Sequence, residues 1–218
     1  MQMHSKRNSF RSYPGVLFAV LLLTITAAAQ QQQPSRDAVQ SGAPANSIKN
    51  FGQMDARFYR GAQPKTREDY EALAAMGIKT VIDLRDDPKE YEKPFVESLG
   101  MKYVNIPMIT KKYPTEEATQ AFLKVVGDPE TGKFFVHCAG GRHRTGAMGA
   151  VYRFHFYNWT FEQVYSEMKQ YDFYTSWGHG AFKDFVEDYY KRVQADKASA
   201  LAPAHAQPDA STRAKEEH

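Results

Sequence analysis

Apolar positions recur along this chain in two rhythms, and the two alternate. Short runs at Phe58–Arg60, Thr80–Leu84, Met101–Ile106 and Phe134–His137 predict strands. The last is apolar enough to be buried on both faces. Between and after them, apolar residues return at helical spacing. Thr66 with Asp69 starts one helix, marked by Tyr70, Leu73, Ala74 and Met76 and stopped by Gly77. Asp87 as N-cap with Pro88 at the first helical position opens a second, which Pro94 kinks or interrupts and Gly100 ends. Glu116–Val126 is a third, closed by Gly127, and Thr145–Tyr157 a fourth with a slim side at Gly146, Ala147, Gly149 and Ala150. Thr160 and Gln163 form a capping box, with Trp159 stapled to Val164. Phe182, Phe185, Val186, Tyr189 and Val193 mark a final amphipathic helix whose aromatics read as core. Strands alternating with helices imply an α/β fold: a central, mainly parallel sheet flanked by helices on both faces.

The ends follow neither rhythm. Residues 1–29 read as a signal peptide: Lys6, Arg7 and Arg11 are basic, Val16–Thr26 is apolar, and Ala27–Ala29 offers a small-residue cleavage site. The apolar run is short for a membrane span, so the expected localisation is exported, periplasmic or secreted, with a membrane anchor if cleavage fails. Residues 30–49, opening on Gln30–Gln33, read as a disordered linker. Residues 50–193 form a single domain, and 194–218 read as a disordered tail.

Charge changes the picture once the leader is set aside. The formal net charge is +3, from 28 basic and 25 acidic residues. Residues 1–29 hold three of the basic ones and no acidic one, so 25 face 25 without them. The basic balance is therefore no argument for a nucleic-acid partner.

The candidate chemistry lies in Phe134–Gly146, FFVHCAGGRHRTG, which contains the only cysteine, Cys138. The loop from Cys138 to Arg144 joins a strand's C-terminal end to a helix N-terminus, where open α/β sheets bind ligands. Gly140 and Gly141 let successive N–H groups turn inward as an anion cradle. The helix dipole adds positive charge there, and Arg142, His143 and Arg144 add more. Such surroundings lower a thiol from about 8.5 to as little as ~3.5–7.5 and make it a standing nucleophile. The alternative is a buried structural cysteine among surface arginines, but buried apolar thiols need neither glycines nor arginines around them.

His137-Cys138, five residues, Arg144, Thr145 and Gly146 resemble the signature of the cysteine-dependent protein tyrosine phosphatase superfamily. FYRGAQP at Phe58–Pro64, GIKTVIDLR at Gly77–Arg85 and YVNIP at Tyr103–Pro107 are similar to its atypical dual-specificity-like bacterial branch. The resemblance covers the middle of the chain. It implies a phosphatase-like fold and hydrolysis of phosphate monoesters through a phosphocysteine, with no cofactor. Cys138 is then the nucleophile. Arg144 grips two phosphate oxygens with its planar fork, and the backbone N–H groups of Ala139, Gly140, Gly141, Arg142, His143 and Arg144 hold the rest. The resemblance further implies that the Thr145 hydroxyl bonds the sulfur and that His137 orients the loop, although His137 reads equally well as a core histidine. No metal is called for, since the chain supplies the cations and its histidines lack metal-ligand spacing.

The general acid is the gap. Pro107–Gln120, where the family carries an Asp, has none. Glu116 is the favoured carboxylate, beside Glu117. Both also suit the first turn of a helix, where they complement its dipole. Asp86, Asp87 and Asp128 are fallbacks. Expected substrates are phosphotyrosine or mixed phosphoproteins. The alternatives are inositol phosphates or phosphoinositides, and a phospho-ligand binding module without turnover. A sulfur-transferase or arsenate-reductase reading is weaker, and a single cysteine cannot run a disulfide relay. In an oxidising compartment Cys138 would be open to sulfenic acid formation.

Overall fold

The computed structural model describes residues 47–201, so the expected signal peptide and most of the linker and tail lie outside the described residues. The sheet has five strands: β1 (Gly52–Gln53), β2 (Phe58–Ala62), β3 (Ile78–Arg85), β4 (Lys102–Met108) and β5 (Lys133–Cys138). Their order is β1-β2-β5-β3-β4. β1 pairs antiparallel with β2, and every other pair is parallel. The expected α/β architecture with a mainly parallel sheet is what forms. The cysteine strand β5 lies at its centre, between β2 and β3, and from Phe134 to Cys138 it is wholly buried.

Six helices cover the sheet: α1 (Arg67–Ala75), α2 (Glu92–Ser98), α3 (Glu116–Gly127), α4 (His143–Phe156), α5 (Phe161–Gln170) and α6 (Gly180–Leu201). Two apolar clusters result, one on each face. Phe134, Val136 and Cys138 join the larger, with residues of α3, α4, α5 and α6. Phe135 joins the smaller, with Tyr70 and Leu73 of α1 and Val96 of α2. The split follows from strand alternation, which sends successive side chains to opposite faces. It also separates Cys138 from His137.

The expected capping boxes form at Thr66–Asp69 and Thr160–Gln163, and Trp159 and Val164 are buried in one cluster. Three expectations are corrected. Asp87 does not cap α2. It pairs with Arg85 at 3.0 Å, and α2 begins only at Glu92. Pro94 consequently sits in the first helical turn, where its missing N–H interrupts nothing. The ordered chain also reaches further at both ends. Ile48 is buried and Ser47 bonds Asp69, while α6 runs to Leu201, past the last apolar position of its stripe at Val193.

Candidate active site

Cys138 ends β5, and Arg144 and Thr145 lie in the first turn of α4. The loop between them is held from outside. Asn50 donates to the Gly140 carbonyl at 2.8 Å and buried Arg60 donates to the Gly141 carbonyl at 2.7 Å. In a planar trans peptide the C=O and the following N–H point opposite ways. Tethering these carbonyls outward therefore turns the N–H groups of Gly141 and Arg142 inward, as an anion cradle requires. Gly141 has φ 66°, and a Cβ there would lie 2.5 Å from the Ala62 nitrogen, so only glycine fits. Arg60 keeps its place by stacking on Tyr171, 3.9 Å from the ring centre. Asn50 and Arg60 escaped the sequence reading as site residues. Arg60 lies within the quoted FYRGAQP stretch, but nothing in that stretch tells which carbonyl it will reach.

Burial alone would push the Cys138 thiol up. It is nevertheless held below its ordinary value by the Thr145 hydroxyl, the Arg144 charge and the backbone N–H groups of Thr145 and Gly140. The Thr145 hydroxyl is buried and has no nitrogen or oxygen partner, which leaves it to the sulfur. α4 has no side-chain N-cap and no acidic residue in its first turn, so nothing of its own competes for an anion there.

The Arg144 guanidinium donates to the Met108 carbonyl at 3.0 Å and to Asp86 Oδ1 at 2.7 Å. Asp86 belongs to the turn after β3. Glu116 is elsewhere engaged: it accepts from Gln120 at 2.7 Å and lies 3.5 Å from Arg192 of α6. Glu117 interacts with Thr115 at the helix start, and Asp128 caps the short turn Pro129–Thr131. Of the carboxylates weighed, the fold brings Asp86 to the signature arginine, not Glu116.

Arg142 and His143 do not make the loop strongly cationic, contrary to expectation. The Arg142 guanidinium lies 3.8 Å from Asp172 and over the Tyr174 ring. His143 is buried, with Nε2 3.0 Å from the Tyr174 carbonyl oxygen and its ring stacked on His179 at 3.7 Å. Burial and the His179 charge push His143 down to about 4, so it is neutral at physiological pH. Both residues still contribute backbone N–H groups. His137 is fully buried between Asp83 and Glu92.

A buried, ionised thiol, a guanidinium beside it and inward-facing amides around both can hold a tetrahedral oxyanion and attack it. The description of the family model matching residues 29–183 reads "DSP-PTPase phosphatase fused to NAD+ Kinase". The chain belongs to this family of phosphatases. It is similar to a probable tyrosine-protein phosphatase of Dictyostelium discoideum, DG1060, with 28% identity over 127 residues, 56% of this chain and 75% of the relative. It is also similar to the inositol diphosphatase SIW14 of Saccharomyces cerevisiae, with 26% identity over 134 residues, 57% of this chain and 46% of that one. Among solved structures, the core catalytic domain of SIW14 superposes with a TM-score of 0.55 at 21% identity, covering 71% of this chain and 96% of that one. At that identity the match shows a shared fold. The protein is a cysteine-dependent phosphatase of the tyrosine and dual-specificity type.

Proposed function

We propose that Cys138 is the nucleophile of a two-step hydrolysis of phosphate monoesters, acting on phosphotyrosine or mixed phosphoprotein substrates. The thiolate attacks phosphorus, the bond to the leaving oxygen breaks, and that oxygen takes up a proton. Water then attacks the phosphocysteine, releasing inorganic phosphate and restoring the thiolate. Arg144 grips two non-bridging oxygens, and amides from Ala139 to Arg144 bind the third as its charge develops. The observation that carries this reading is the ionised thiol beside Arg144 and under the Thr145 hydroxyl.

Asp86 is proposed as donor of the leaving-group proton. What supports it is its place on Arg144. An arriving phosphate dianion competes for the same guanidinium, and like charges brought together favour a proton on one of them. The exposed side chains Ile109 and Trp177 support a polypeptide substrate. They lie on two loops that meet where Gly178 packs against Lys111. The second of these loops carries His179, which feels the charge of Arg144.

Hydrolysis of p-nitrophenyl phosphate should survive a chelator, be blocked by vanadate and vanish in Cys138→Ser. Phosphate binding without turnover in the wild type would favour a binding module instead. A second substrate class, inositol phosphates, is favoured by the relatives named inositol diphosphatase and by Lys111, whose charge is felt at His179 beside the site. A panel of phosphotyrosyl peptides, phosphoseryl peptides and inositol phosphates separates the two. Export is also proposed, on the basic, apolar and small-residue succession of residues 1–29. N-terminal sequencing of the mature protein tests it.

A further inference from the structure

The phosphoryl-transfer chemistry leaves one buried ionisable group unused, and it lies on the far face of the sheet from the thiol. His137 projects to the side where Phe135 lies, its ring stacked on Phe135 at 5.8 Å. There it meets two carboxylates from different elements. Asp83, its ladder partner on β3, places Oδ1 3.7 Å from Nδ1. Glu92, the first residue of α2, places Oε1 2.9 Å from Nε2. All three side chains are 0% exposed.

The three could offer one ligand atom each to a metal, with the atoms within 4.8 Å of one another. Their arrangement argues against it. Each carboxylate addresses a different ring nitrogen, whereas a neutral imidazole has a single lone pair and could give a metal only one of them. Neither contact has hydrogen-bond alignment, so what the ring gains from both is attraction between charges. A neutral ring would leave two buried carboxylates with only Arg85 as a nearby cation, and uncompensated buried charge is costly.

We propose that Glu92 and Asp83 are positioning residues for catalysis: they hold His137 as an imidazolium directly behind the nucleophile, and this buried cation helps keep Cys138 ionised. The surrounding groups agree. Burial disfavours a charged ring, but contact with Glu92 and the charges of Glu92, Asp83 and the Cys138 thiolate outweigh it and raise His137. Burial raises Asp83, while His137 holds Glu92 below the ordinary carboxylate range despite burial, so Glu92 is the stronger counter-ion. The carboxylates are themselves held from the other packed elements. Tyr103 of β4 donates to Asp83 at 2.9 Å, Gln63 after β2 donates to Glu92 at 3.0 Å, and Tyr70 of α1 also bonds Glu92. Arg85 of β3 feels both carboxylates.

This inference rests on Cys138 being the nucleophile, and its test reads the thiol directly. Iodoacetamide reports only on Cys138, the single cysteine. Its alkylation rate is followed against pH in the full-length protein and in Glu92→Gln, with circular dichroism and thermal melts confirming the fold. The midpoint should rise by about one pH unit in Glu92→Gln. It should rise by less in Asp83→Asn, whose contact is longer. A folded Glu92→Gln protein with the wild-type midpoint overturns the proposal. Should that variant not fold, nitrogen-15 histidine spectra of the wild type decide: imidazolium at His137 at pH 7.5 supports it, and a neutral ring overturns it. Alkylation proceeds whether or not an ester is turned over, so loss of the phosphatase reading would be seen separately.

Discussion

Arg144 and Asp86 are paired, with the guanidinium donating to Oδ1 at 2.7 Å while the arginine stays buried and the carboxylate is partly exposed. A phosphate entering the loop must share or break that pair. If Asp86 then protonates the leaving group, its loss will depend on the leaving group. Asp86→Asn should lower kcat for phenyl phosphate by roughly 10²-fold or more and for p-nitrophenyl phosphate far less. Glu116→Gln should leave both substrates near wild type. Equal losses on the two esters in Asp86→Asn would assign Asp86 to orienting Arg144 alone.

The thiol's lowered pKa fixes the acid limb of activity. The thiolate reacts, so kcat/KM falls as pH drops through that lowered value, not through the ordinary thiol range. Removing the Thr145 hydroxyl takes away one hydrogen bond to the charged form, worth roughly 1.5–3 kcal/mol, or about one to two pH units. Thr145→Ala should therefore move the acid limb of kcat/KM upward by about that much. An unmoved limb would show that Arg144 and the amides suffice.

Gly141→Ala should be among the most damaging small changes in the chain. The residue has φ 66°, and the added Cβ would meet the Gly61–Ala62 backbone, which cannot swing aside as a side chain can. A loss of roughly 2–4 kcal/mol is expected, together with a collapse of vanadate affinity because the cradle must open. Denaturant melts and vanadate inhibition measure both. Gly140→Ala is the control: a Cβ there meets only the Arg142 side chain, at 3.8 Å.

The cluster behind the loop should make stability depend on pH. His137 is raised by folding, so its contribution is complete below the unfolded histidine value near 6.5 and lost as pH climbs through the folded one. Glu92 is lowered, so its contribution is present above the unfolded carboxylate value and lost as pH falls through the folded one. Thermal melts should peak between these limits. The alkaline decline should be shallower in His137→Asn. An identical decline in both proteins would place the loss elsewhere.

The sequence by itself determined the architecture and the identity of the reacting groups, because both are local properties. Alternating apolar periods name strands and helices, and Thr66–Asp69 and Thr160–Gln163 cap their helices with residues three apart. Cys138, Arg144 and Thr145 are joined by one short loop whose glycines dictate its turn. Tertiary structure alone decided what touches that loop. Asp86 reaches Arg144 from 58 positions away, and Arg60 reaches the Gly141 carbonyl from 81 away. Glu92 meets His137 because β5 turns alternate side chains to opposite faces and α2 covers the far one. His143 looked cationic in the sequence and is neutral in the fold, because stacking on His179 and burial penalise its charge. Charge and partnership depend on neighbours in space, and the packing of distant segments chooses those neighbours.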